Sequence, residues 1–163
     1  MISLIASIGK NNEIGKNGDL VWHIKEDMKF FKNTTINHIV VMGFNTYKSL
    51  PGPLKDREMI VLSKNNNIDG IKIIRDYREI VDKYEDSEIE VFIIGGATLY
   101  EIYMEYAKRM YLTEIDDTCK DADVFFPPFN RNDWNDEILQ ENEHNKVKYK
   151  IHKYERKNYS KSE

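Results

Sequence analysis

Two uninterrupted apolar runs, Ile39-Val40-Val41-Met42 and Val91-Phe92-Ile93-Ile94, constrain this chain more than anything else in it. Each is short, β-branched or aromatic in character, and without polar alternation. That pattern suits a strand covered on both faces, as in parallel sheets. With these two, β-branched runs mark six strand candidates in all, at residues 2–8, 38–42, 59–63, 71–74, 90–94 and 110–115. Helix-period segments fall between several of them, at 25–33, 45–49, 77–84 and 97–107. Such alternation predicts an α/β fold, a mostly parallel central sheet flanked by helices with right-handed crossovers. After Phe129 the pattern changes. Residues 134–140 and 149–154, joined by a polar segment 141–148, predict a C-terminal antiparallel hairpin.

A length of 163 residues suits one domain. No repeat or linker divides it, so residues 1–157 read as a single domain and the polar 158–163 as a frayed tail. The net charge of −4 comes from 24 basic and 28 acidic residues, interspersed, which gives no support to a general grip on nucleic acid. The single cysteine, Cys119, cannot form an intrachain disulfide and fits a reducing cytoplasm. His23, His38, His144 and His152 lack metal-ligand spacing, so no metal is expected. Residues 1–8 lack the basic lead-in of an export signal, and no run approaches the roughly 18 apolar residues of a membrane span. A cytoplasmic monomer without membrane contact is the expectation.

In open α/β sheets, ligands bind beyond the carboxyl ends of the strands. Four segments offer chemistry there. Residues 9–22 form a Gly- and Asn-rich loop, long enough to be either a lid or a solvated surface excursion. On the following helix Ile24, Met28, Phe31 and Thr35 form an apolar stripe, and Asp27 falls on the same face. A carboxylate facing a core is costly unless paired or functional, although an acid in a first helical turn also suits the helix dipole. Val41-Met42-Gly43-Phe44-Asn45-Thr46 runs from strand through glycine into a short helix, where free N–H groups and the Thr46 hydroxyl could hold a phosphate. Ile94-Gly95-Gly96-Ala97-Thr98-Leu99-Tyr100 makes a second such junction, with Tyr100 at the mouth. Each junction alone is equally compatible with mere packing.

In this order the segments resemble dihydrofolate reductase. The residues that carry the likeness are Ile14-Gly15 before Leu20-Val21-Trp22, Asp27, Met42-Gly43 with Thr46, Pro53-Leu54 with Arg57, Ile94-Gly95-Gly96 with Tyr100, Tyr111-Leu112-Thr113, and Asp123 with Phe126-Pro127. They span residues 1 to about 157. The resemblance implies hydride transfer from NADPH to 7,8-dihydrofolate, giving tetrahydrofolate for one-carbon metabolism, and makes the chain an antifolate target. It implies catalytic roles for Asp27, which would bind the pterin edge and serve proton delivery, for Thr113 on the same edge, and for Trp22, which would order a water. Ile5, Ala6, Met28, Phe31, Leu50, Leu54 and Ile94 would line the substrate, Arg57 would pair with its glutamate α-carboxylate, and Lys32 would attract that tail. Ser7, Ile14, Gly15 and Tyr100 would surround the nicotinamide. Gly43, Phe44, Asn45, Thr46, Ser49, Gly95, Gly96, Ala97, Thr98 and Leu99 would follow the pyrophosphate, and Leu62, Ser63 and Lys64 the adenosine. A cis Gly95-Gly96 bond and a lid at 9–22 belong to the same implication.

Three departures stand out. Phe44 and Thr98 occupy positions where the family usually has basic residues, Phe44 at the one that grips the 2′-phosphate. Lys64 and the Ser63 hydroxyl are left for that task, so NADH is less strongly excluded. Val21 replaces a proline before Trp22, and Lys55-Asp56 departs from the usual Arg57 approach. The alternatives are a pyrimidine reductase of riboflavin synthesis, which shares the fold without an acid like Asp27, and a non-catalytic nucleotide-binding module, which needs no buried carboxylate.

Overall fold

The strand order places the carboxyl end of the first strand at the centre of the molecule. In the computed structural model, which describes residues 1–157, the chain opens with β1 (Ile2–Ile8), followed by β2 (Glu13–Lys16), β3 (Asp19–Leu20) and α1 (Lys25–Thr35). Next come β4 (Ile39–Gly43), α2 (Phe44–Ser49), β5 (Glu58–Leu62), β6 (Lys72–Ile74) and α3 (Arg78–Tyr84). Then follow β7 (Val91–Gly95), α4 (Ala97–Tyr103), β8 (Arg109–Ile115), β9 (Val124–Phe125), β10 (Trp134–His144) and β11 (Val147–Arg156). The tail expected to fray, 158–163, lies outside the described residues.

An eight-stranded sheet runs β10-β11-β8-β1-β7-β4-β5-β6. From β8 to β6 every pair is parallel, and β11 and β10 complete the edge antiparallel. The chain leaves β1, builds β4 to β6 outward, then returns to insert β7 beside β1. This reversal of winding opens a crevice at the strand ends. Ile2, Leu4 and Ile8 of β1 pack with Leu99, Tyr103 and Met110 on one face of the sheet. Ile5 packs with Val40, Met42, Val61 and Phe92 on the other, under Phe30 and Phe31 of α1. Covering both faces demands the unbroken apolar runs seen in β4 and β7, and each fully buried side chain there is worth roughly 1.5–3 kcal/mol.

Three expectations need correction. The presumed loop 9–22 contains β2 and β3, which join β9 in a small three-stranded sheet. The polar segment 141–148 is mostly strand, and only Asn145 and Lys146 turn, both with positive φ. The helix foreseen over 97–107 stops at Tyr103 and tightens into a 3-10 turn at Met104–Tyr106.

Candidate active site

Register creates the centre of the crevice. Ser7 near the end of β1 lies directly opposite Thr113 on β8. Asp27, in the first turn of α1, projects between them. It accepts hydrogen bonds from both hydroxyls, from Ser7 on Oδ2 and from Thr113 on Oδ1 at 2.5 Å. Burial raises the Asp27 carboxyl above its ordinary range, and the two hydroxyls oppose that rise without cancelling it. An acid so placed can retain a proton nearer neutrality than a free carboxyl can, and its two oxygens can receive a pair of N–H donors.

Around this acid the predicted apolar lining separates into two groups. Ile5, Phe31, Leu50, Leu54 and Ile94 belong to one apolar cluster on the α1 face. Ala6 packs against the opposite cluster and presents only backbone to the α1 side. Met28 does not join the apolar stripe of α1: it is 61% exposed, whereas Ile24 and Thr35 are buried. Position 28 follows Asp27 directly, so the methionine stands at the rim of the crevice. Lys32 is exposed one turn further on.

Arg57 is placed by neutral acceptors rather than by Asp56 or Glu58. Its Nε donates to the Lys55 carbonyl at 2.9 Å, and Nη1 to Thr35 Oγ1 at 3.3 Å. Thr35 is itself locked by donating to the Phe31 carbonyl at 2.8 Å. Partial burial lowers the Arg57 pKa, with Asp56 opposing.

The two glycine junctions meet. Gly43 and Gly96 are the N-caps of α2 and α4, neither helix has a side-chain cap or an acid in its first turn, and a Cβ at Gly43 would come within 4.0 Å of Gly96 N. A Cβ on Gly95 would approach Thr46 Oγ1 to 3.2 Å, and the φ of 140° at Gly95 is itself glycine territory. The Gly95-Gly96 bond is cis. Two uncapped, acid-free helix starts side by side leave backbone donors for a diphosphate, so these residues fit the anionic middle of a dinucleotide. Asn45, Ser49, Ala97 and Thr98 sit on the same two helices, with Leu99 buried beneath. Tyr100 is not at a mouth. It is buried, and its hydroxyl donates to the Ile5 carbonyl at 2.7 Å, while burial pushes its pKa up.

Beyond the end of β5, after half-buried Leu62, the Ser63 hydroxyl accepts from Asn66 N at 3.2 Å and Asn66 Nδ2 at 3.0 Å. Lys64 is exposed. Arg75, which the sequence did not single out, clamps this turn by donating to the Ser63 carbonyl at 2.8 Å, the Asn66 carbonyl at 2.7 Å and Asn67 Oδ1 at 2.5 Å. Phe44 starts α2 directly after Gly43, which pairs with Leu62 of β5, and Lys48 Nζ lies 5.1 Å above its ring.

Segment 9–22 is fastened to residues 116–126. Gly15 accepts from Asp123 N at 3.0 Å, Asn12 from Phe126 N at 2.8 Å, and Ile14 packs on the main core. The indole N–H of Trp22 donates to Asp117 Oδ2 at 3.0 Å, which ties the end of this segment to the same turn. Glu13, Asp117 and Arg75 were not legible as site residues, because each depends on a partner turn that no local pattern announces.

Comparison with known proteins adds to this geometry. The family model for dihydrofolate reductase matches residues 1–156. The dihydrofolate reductase of Bacillus subtilis (strain 168) is 35% identical, covering 99% of this chain and 98% of its own length. That of Staphylococcus haemolyticus is 36% identical, with 95% of each covered. Among solved structures, dihydrofolate reductase from Enterococcus faecalis complexed with NADP(H) and RAB-propyl superposes with a TM-score of 0.83, at 28% identity over 96% of both chains.

Proposed function

The chain belongs to the dihydrofolate reductase family, and on that premise we propose how its residues divide the work of an NADPH-dependent enzyme that reduces 7,8-dihydrofolate to 5,6,7,8-tetrahydrofolate. The observation that carries the proposal is Asp27, a carboxyl raised by burial and held between the Ser7 and Thr113 hydroxyls. Bound NADPH supplies the hydride. Asp27 receives the N–H edge of the pterin's amino-pyrimidine and raises the effective basicity of the ring nitrogen next to the carbon that takes the hydride, so that nitrogen gains its proton. Thr113 fixes Oδ1 and Ser7 fixes Oδ2, so the carboxyl does not reorganise during the reaction.

Ile5, Met28, Phe31, Leu50, Leu54 and Ile94 supply apolar cover that excludes water from the rings. Arg57 offers its remaining guanidinium donors to the tail carboxylate, with Lys32 adding charge. The start of α2, with Gly43, Phe44, Asn45, Thr46 and Ser49, and the start of α4, from Gly95 through Leu99, receive the pyrophosphate. Ile14, Gly15, Ser7 and Tyr100 flank the nicotinamide, Tyr100 by holding the β1 backbone. Leu62, Ser63 and Lys64 meet the adenosine, with Arg75 shaping their turn and adding positive charge.

A single-domain monomer working in the cytoplasm completes the proposal. It is supported by a site assembled from one chain and by a lone cysteine. No helix among the described residues is long and apolar enough to cross a membrane. The test is to mix pure protein with NADPH and dihydrofolate and follow the absorbance of reduced nicotinamide. Stoichiometric loss of that absorbance with formation of tetrahydrofolate is expected. Loss with a riboflavin-pathway pyrimidine and none with dihydrofolate would overturn the proposal.

A further inference from the structure

Glu13 is 1% exposed, in a segment whose residues 10, 11 and 17–20 are open to solvent. Its Oε1 accepts from Asn11 N at 2.8 Å, and its Oε2 accepts from Cys119 N at 2.8 Å. Both donors are backbone N–H groups, so a buried carboxylate spends its two oxygens on chain geometry. A hydrophobic side chain would fill such a place at lower desolvation cost, and the carboxylate is tolerated only because both oxygens are satisfied.

What the carboxylate fixes leads to Trp22. Cys119 lies in the turn that also holds Asp117, whose Oδ1 accepts from Thr118 N at 2.8 Å and whose Oδ2 accepts from Trp22 Nε1 at 3.0 Å. Asp117 further binds Lys10 N through its carbonyl at 2.9 Å. Glycine 9 closes the circle. A Cβ there would lie 2.3 Å from Trp22 Cη2 and 2.5 Å from Glu13 Oε1, so the indole and the carboxylate pack against the same bare backbone.

From this arrangement we infer that Glu13 is a positioning residue for the reaction: it sets the turn at 117–119, which seats Trp22 and so holds segment 9–22 over the nicotinamide end of the cofactor. The inference rests on the reading of the site as an NADPH-dependent reductase. Glu13 touches neither substrate nor cofactor; it acts through Asp117 and Trp22.

Glu13→Gln keeps the shape but turns one oxygen into an NH2 that faces an N–H donor, so one of the two anchors is lost. Its Kd for NADPH should rise about tenfold, while its Kd for 2′,5′-ADP, which lacks the nicotinamide half, stays unchanged. In the ligand-free protein, hydrogen exchange at the Cys119 amide should accelerate. A merely structural role would weaken both ligands together. Asp117→Ala breaks the next link at a half-buried position and should give the same selective loss, which decides the matter if Glu13→Gln does not fold. Parallel losses for the two ligands, or none, in the variants would overturn the role of Glu13 alone. A wild-type chain that binds no NADPH would overturn the reductase reading and this inference with it.

Discussion

The Thr113 hydroxyl donates to Asp27 Oδ1 at 2.5 Å, joining the carboxyl half of β8 to the first turn of α1 across 86 positions of sequence. The bond exists because β1 and β8 pair in parallel with Ser7 opposite Thr113, which leaves one gap wide enough for a short acid from the helix above. The proposed proton chemistry and the stability of the fold therefore meet at one side chain.

Asp27→Asn should cripple dihydrofolate reduction near neutral pH while keeping the fold, with partial recovery in acid, where substrate arrives already protonated. Its stability should move the other way. The folded-state pKa of Asp27 is raised, so folding favours the protonated form. The stability tied to that proton is full below the ordinary carboxylate range and is lost as pH rises through the raised value. At neutral pH the asparagine variant should melt at or above the wild-type temperature, and the difference should shrink in acid. Thermal melts beside initial rates across pH check both halves. Wild-type turnover at neutral pH would remove Asp27 from proton delivery.

Thr113→Val and Ser7→Ala each delete a hydroxyl that holds the Asp27 carboxylate in its charged form. Burial is then opposed by one hydroxyl instead of two, so the Asp27 pKa should rise further in either variant. If Asp27 must carry a proton, activity should persist to higher pH, although the maximum falls because the acid is less well oriented. The measurement is kcat/KM against pH for the two variants and wild type. A profile shifted toward acid, or not shifted at all, would place the controlling titration elsewhere.

The sheet was legible because its strands are buried on both faces: Val40, Val41 and Met42 leave no doubt about β4, and Phe92 and Ile93 none about β7. The small sheet was not. Glu13 and Gly15 pair with Phe125 and Val124, more than a hundred positions away, and four residues containing glycine carry no period of their own. Strand β10 is exposed along almost its whole length, so Glu141 to His144 read as a polar linker rather than as an edge. At the site, Asp27 stood out as an acid on the apolar face of its helix, whereas Thr113 and Arg57 came from the resemblance. The Ser7 hydroxyl on Asp27 and Arg75 on the Ser63 turn are products of register and turn geometry, which residue type alone does not reveal.

Phe44 places an apolar ring at the start of α2, where no acid or cap competes for an anion. Arg75 already spends three of its contacts on the Ser63 to Asn67 turn, so little of its guanidinium is left for a 2′-phosphate. Discrimination for NADPH over NADH should therefore be modest. Phe44→Arg should raise it roughly tenfold to a hundredfold, the equivalent of one hydrogen bond to a charged group. Catalytic efficiency with each cofactor, for wild type and variant, gives the ratio. An unchanged ratio would mean that Lys64 or Arg75 supplies the contact in full.

Arg57 should read the tail of the substrate and leave the ring to Asp27. Its Nε and one Nη1 donor are spent on Lys55 and Thr35, and that fixes the guanidinium plane before any ligand arrives. The other donors have the fork geometry that suits a carboxylate, which a lysine ammonium would lack. Thr35 in turn is held by the Phe31 carbonyl, so the arginine is braced against the same helix that carries Asp27. Arg57→Leu should therefore cost roughly 1.5–3 kcal/mol of dihydrofolate affinity, the strength of a hydrogen bond to a charged group. Glutamate-bearing inhibitors should suffer alike, while small diaminopyrimidines without a tail carboxylate should bind almost as before. Arg57→Lys should recover only part of the loss, because the charge returns without the fork. Titration of both ligand types into the three proteins decides the matter: equal losses for tailed and tailless ligands would assign Arg57 to holding the start of β5 against α1 rather than to the substrate.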